Sequence, residues 1–221
     1  VVHEHVVPIQ TVDEQHGLPY LVMPVVEGAS LDQRVAETGP LTVVEILRIG
    51  KQIASGLAAA HAQGLVHRDV KPANLLLDGS AKLYVTDFGL ARVESDVGVT
   101  MTGDLIGTLR YMAPEQALAK RVVVDHRADI YSLGATLYEL LTLEPVFGRG
   151  ERSELLRQIV EEEPEPPRRL ADNLPRDLET IVLKALEKRP EDRYDTAKAL
   201  ADDLDRFLSD EPIKARPPTM S

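Results

Sequence analysis

Asp69, Lys71, Asn74 and Asp87 place two carboxylates, an ammonium and a carboxamide in one short stretch of chain. That set suits phosphoryl transfer. Charge on the moving phosphate must be neutralised, a metal must be held, and one carboxylate must face the attacking hydroxyl. Asp69 is the candidate to orient that hydroxyl and take its proton. Lys71, two residues on, can balance phosphate charge. Asn74 offers a neutral oxygen and Asp87 a charged one, a hard donor pair that suits Mg²⁺. Singly, each residue is better explained as a cap or a solvated charge; the order and spacing of all four point to chemistry.

The elements that must position these residues follow from periodicity. Val6-Val7-Pro8-Ile9 and Tyr20-Leu21-Val22-Met23 are short apolar runs expected as strands, separated by a polar turn from Asp13 to Gly17. Thr42 with Glu45 forms a capping-box signature. Ile46, Ile49, Ile53 and Leu57 then put one apolar stripe on a helix ending near Gly64. Leu75–Leu77 and Leu83–Val85 flank Asp78-Gly79 as a hairpin. Helices are expected over Asp129–Leu141, Glu154–Glu162, Leu178–Leu186 and Ala197–Leu208. The fold class is α+β and mainly helical, with a little β structure at the front. Residues 211–221 carry three prolines and are expected to form a linker.

His67-Arg68-Asp69-Val70-Lys71-Pro72-Ala73-Asn74, Asp87-Phe88-Gly89 and Ala113-Pro114-Glu115 match H-R-D-x-K-x-x-N, D-F-G and A-P-E. In this order the chain resembles the protein kinases, bacterial serine/threonine kinases in particular. The resemblance implies a remnant of the kinase small lobe and hinge over 1–27, a large lobe over 28–210 and the linker beyond. It implies that His67 and Phe88 pack in an apolar column that Ile9 continues, that Asp129 anchors the catalytic loop through backbone N–H groups, and that Arg193 pairs with Glu115. Lys71 together with Thr108 implies serine/threonine rather than tyrosine substrates, with Thr108 counted among the catalytic residues. Met23 is implied as the residue guarding the adenine pocket, Pro24 and Val26 as its hinge contacts, and Leu76 as the residue beneath the base. Arg68 and Arg92 are positioned to hold a phosphorylated side chain, for which Thr100 and Thr102 are the acceptors. ATP and Mg²⁺ are the expected cofactors, with Mn²⁺ as the alternative metal. Protein substrates are the expected partners, with self-association for autophosphorylation.

Composition narrows the remaining classes. The 221 residues are 43% hydrophobic, which argues against disorder, and contain no cysteine, which excludes disulfides and thiolate chemistry. A net charge of −11 disfavours a nucleic-acid binder, which needs a basic face. No apolar run approaches the ~20 residues of a membrane span, so a cytoplasmic location is expected, with an anchor beyond Ser221 left open as in many bacterial relatives. G-x-x-x-x-G-K-[ST] is absent, against a P-loop ATPase. An aminoglycoside-type small-molecule kinase would not be expected to carry both D-F-G and A-P-E. A glycine-rich loop, a strand lysine and its helix glutamate are also missing, since Lys51, the first lysine, lies inside the predicted Thr42–Gly64 helix. With Val1 in place of methionine and the catalytic loop intact, a fragment is expected over a pseudokinase scaffold. The isolated chain is then expected to bind ATP weakly and to transfer phosphate poorly.

Overall fold

Residues 1–88, 107–118, 124–148 and 151–217 are described by the computed structural model. The first strands, β1 (Thr11–Gln15) and β2 (Leu18–Val22), pair antiparallel from Thr11↔Val22 to Gln15↔Leu18. His16 and Gly17 connect them with φ of 55° and 80°, the two-residue turn whose twist matches that of the paired strands. The structure therefore corrects two expectations: Val6–Ile9 is not a strand, and the turn is His16-Gly17 rather than Asp13–Gly17. Val6 and Val7 are buried for a different reason. They dock on another strand, with a lone parallel bridge Val6↔Val85 and bonds from Val7 N to Val85 O (3.0 Å) and from Val85 N to His5 O (2.9 Å). Pro8, with no N–H, cannot extend the pairing. Ile9 is 51% exposed, so it does not continue the apolar column.

A second sheet has the order β3 (Gly28–Ser30), β4 (Leu75–Asp78), β5 (Leu83–Val85), all antiparallel. The β4–β5 hairpin was legible from its leucines. β3 was not, because Gly-Ala-Ser carries no apolar or β-branched signal. Its position depends on Gly28: a Cβ there would stand 2.1 Å from the Leu77 carbonyl oxygen, so only glycine admits the close approach.

The helices among the described residues are α1 (Leu31–Thr38), α2 (Val43–His61), α3 (Pro114–Ala117), α4 (Arg127–Thr142), α5 (Arg152–Glu161), α6 (Arg176–Ala185) and α7 (Ala197–Leu208). The expected capping box starts α2, with Thr42 N donating to Glu45 Oε2 (2.7 Å) and Glu45 N to Thr42 Oγ1 (3.3 Å). Ile46, Ile49, Ile53 and Leu57 are buried, and with Leu133, Leu137, Ile181 and Leu204 they form one continuous core. Each such side chain contributes roughly 1.5–3 kcal/mol by leaving water. The central element is α4, buried nearly all round. At Gly134 an added Cβ would meet Ala185 Cβ at 2.8 Å, so α4 and α6 pack almost backbone to backbone. After α7 the chain turns back. Tyr194 Oη (3.0 Å), Lys214 N (2.7 Å) and Ala215 N (2.8 Å) all donate to the buried Asp203 carboxylate, which packs residues 213–215 onto the lobe. No described helix is long and apolar enough to cross a membrane.

Candidate active site

The site forms where the end of α2, the start of α4 and the β3–β4–β5 sheet converge. Gly64 (φ 74°) takes the chain out of α2, and residues 65–71 run as an irregular loop into a 3₁₀ turn at Pro72–Asn74 and then β4. Such a loop needs partners for its backbone, and Asp129, fully buried in the first turn of α4, supplies them. Its Oδ2 accepts from His67 N (2.8 Å) and contacts His61 Nε2 (2.7 Å), while Oδ1 accepts from Arg68 N (2.7 Å). The expected anchoring role of Asp129 is what the structure shows. Arg68 (φ 70°) and Asp87 (φ 62°) both adopt the left-handed conformation, which costs about 1–3 kcal/mol and persists only where neighbours enforce it.

His67 ties the loop to β5. Its Nδ1 accepts from Asp69 N (3.2 Å), so Nε2 carries the proton and donates to Thr86 O (2.8 Å). The ring lies 4.5 Å from that of Phe88. Both residues pack, as expected.

Three predicted residues gather at the Asp69 carboxylate, Lys71 and Asn74 directly and Thr108 through Lys71. Asp69 Oδ2 lies 2.8 Å from Lys71 Nζ and accepts from Asn74 Nδ2 (2.9 Å), which also donates to Asp69 O (2.8 Å). Lys71 Nζ simultaneously donates to Thr108 Oγ1 (2.9 Å). The amide hydrogens of Asn74 are thus turned to Asp69, which leaves Oδ1 as the oxygen available to a cation. Asp87 follows Thr86, whose N–H donates to Asn74 O (3.1 Å), so the two proposed metal donors flank neighbouring ends of the paired strands β4 and β5, Asn74 just before the one and Asp87 just after the other. Two hard oxygens fit a magnesium-type ion that takes its other ligands from phosphate and water. No group of three or more His, Cys, Asp or Glu residues suited to a metal occurs among the described residues.

The residues expected to contact a nucleotide are less closely gathered. Met23 Sδ accepts from Thr86 Oγ1 (3.9 Å), which places it beside the strand leading to Asp87. Leu76 is half-buried, between the fully buried Leu75 and Leu77, which packs on the core. Pro24 and Val26 line a cavity of about 450 Å³ with Val7, Pro8, Asp78 and Tyr84, and no catalytic-loop side chain reaches it. Arg92, Thr100 and Thr102 lie outside the described residues. Arg68 Nε is buried with no hydrogen-bond partner among the described residues.

Beyond the loop, Arg193 and Glu115 form the expected buried pair, bidentate at 2.7 and 2.8 Å. Tyr111 donates to Glu139, and burial together with that bond pushes its phenol pKa well up. Lys188 donates to Ile159 O at the end of α5 (2.8 Å), and burial lowers its ammonium pKa to about 8. Sequence reasoning missed His61, Thr86 and Gln116. His61 and Thr86 act through contacts distant in sequence, and Gln116 follows the last motif residue with nothing local to mark it.

The protein kinase domain family profile matches residues 1–204. The chain is 42% identical over 200 residues to the serine/threonine-protein kinase PknB of Mycobacterium tuberculosis H37Rv, covering 90% of this chain and 32% of that protein. It is 40% identical over 222 residues to the tyrosine-protein kinase MasK of Myxococcus xanthus, covering 94% of this chain and 34% of that one. The chain therefore spans about a third of these relatives. Among solved structures it resembles Rad53 residues 1–466 in complex with AMP-PNP, with a TM-score of 0.75, 27% identity and coverage of 91% of this chain and 50% of that one.

Proposed function

From the premise that the chain belongs to the protein kinase domain family, we propose that it is the catalytic large lobe of a serine/threonine protein kinase. The observation that carries this reading is Lys71, which bridges Asp69 and Thr108 at 2.8 and 2.9 Å. ATP with a divalent metal supplies the transferable phosphoryl group when bound. Asp69 would orient the acceptor hydroxyl and accept its proton as the hydroxyl oxygen bonds to the γ-phosphorus and the bond from that phosphorus to the departing ADP breaks. Lys71 is held where it neutralises charge on the phosphoryl oxygens, and Thr108 fixes its ammonium. Asn74 Oδ1 and Asp87 are the residues to hold Mg²⁺, or Mn²⁺ in its place. Met23, Pro24, Val26 and Leu76 are the residues assigned to the adenine. Serine and threonine, rather than tyrosine, are favoured because Lys71 together with Thr108 is the pair that the resemblance to serine/threonine kinases implies, and PknB, 42% identical over 90% of this chain, is a serine/threonine-protein kinase.

Control through phosphorylation fits the same site. Arg68 Nε is buried with no hydrogen-bond partner among the described residues, and a phosphate on Thr100 or Thr102 would give Arg68 and Arg92 a common partner. Mass spectrometry after incubation with ATP tests this: phosphate on Thr100 or Thr102 is expected, and phosphate found only elsewhere contradicts it. The glycine-rich loop and strand lysine are not among these 221 residues. The isolated chain is accordingly expected to bind ATP weakly and to transfer little phosphate, and vigorous autophosphorylation by it would overturn that expectation. A pseudokinase scaffold remains the second reading on the same absence.

A further inference from the structure

We infer that Gln116 is a positioning residue for Asp69, which couples the end of the docking segment to the catalytic loop. The inference rests on the kinase reading above. Gln116 stands at the third position of α3, and its carboxamide uses both of its ends. Oε1 accepts from Ala113 N (3.0 Å), closing the helix's own cap, and Nε2 donates to Arg68 O (2.9 Å) across 48 residues of sequence.

Arg68 O and Asp69 N belong to one peptide group, the plane from which the catalytic side chain departs. Asp69 N donates to His67 Nδ1 (3.2 Å), so that plane is held at its N–H end by the loop and at its carbonyl end by α3. Arg68 needs such restraint. Its φ of 70° is unfavourable for a residue with a side chain, and its N–H is fixed separately by Asp129. Gln116 thus restrains the carbonyl that Asp129 leaves free. α3 is itself anchored, since its Glu115 pairs with the buried Arg193. The helix begins six residues after Thr108, so a displacement of the docking segment is carried through Gln116 to the Arg68–Asp69 peptide.

Gln116→Glu separates the two roles. Glutamate at this helix position still caps Ala113 N, but an ionised carboxylate cannot donate to a carbonyl. The variant is compared with the wild type in two ways. In the full gene product, kcat for transfer to a protein substrate is expected to fall about tenfold, with KM for ATP and substrate unchanged within about twofold, as for a misplaced catalytic group. In the 221-residue chain, hydrogen exchange of the Asp69 amide is expected to accelerate about tenfold relative to α4 amides. An unchanged kcat in an active enzyme, or a loss confined to KM, overturns the inference. Should the wild-type gene product transfer no phosphate, the kinase reading fails. The exchange comparison then decides alone, and an Asp69 amide unaffected by the substitution overturns the coupling.

Discussion

Lys71 touches Asp69 and Thr108 at once, so its two partners cannot act independently. Replacing Thr108 by valine is expected to lower transfer about tenfold and Lys71→Met about a hundredfold, with the double variant close to Lys71→Met alone. Fully additive losses measured by steady-state kinetics would contradict a shared role. Lys188 allows a pH test at the same scale. Burial lowers its folded pKa to about 8 from the ordinary 10.5, so between those values the unfolded chain binds the extra proton. Stability should therefore rise as pH increases from about 8 towards 10. Tyr138 has the opposite sign: burial raises its phenol to about 12, so the unfolded chain ionises first and stability falls above pH 10. Urea midpoints across pH 7–11 should show a rise and then a fall, and Lys188→Met should remove the rise only.

At the scale of elements, the catalytic loop is held by partners from helices rather than by its own structure. Asp129 carries three contacts from the buried start of α4. Asp129→Ala leaves two buried N–H groups unsatisfied and is expected to destabilise the lobe by about 3–5 kcal/mol, measured by denaturant unfolding. Glu115→Ala should cost a similar amount through the stranded Arg193 charge, whereas replacing both by apolar residues of similar volume should recover much of it. What could be read from sequence divides along the same line. The stripe of α2 and the leucines of β4 and β5 are local signals, and the H-R-D-x-K-x-x-N and D-F-G motifs fix residue types at short spacing. β3 was invisible because its place is set by a close approach to Leu77, not by its own propensity. Val6-Val7 was misread because burial against β5 produces the same apolar run as membership of a strand. Gln116 and His61 act on residues far away in sequence, so no window could have found them.

For the whole molecule, the distribution of apolar surface is uneven. The core around α4 is closed, while the β1–β2 hairpin leaves Val12, Leu18, Tyr20 and Val22 exposed. An isolated two-stranded ribbon is marginal in water. Amides of β1 and β2 in the 221-residue chain are therefore expected to exchange orders of magnitude faster than those of α4, and comparable protection would contradict this. The far end is different, because Asp203 packs residues 213–215 onto the lobe. Between these ends lies the arrangement on which the functional reading depends: Asp69, with Lys71, Asn74 and Thr108 gathered around it. The most direct measurement offers the full gene product and its Asp69→Asn variant labelled ATP with matched serine, threonine and tyrosine peptides. Phosphate is predicted on serine and threonine, reduced about a thousandfold by the substitution. Transfer to tyrosine alone, or equal transfer by the variant, would contradict the account.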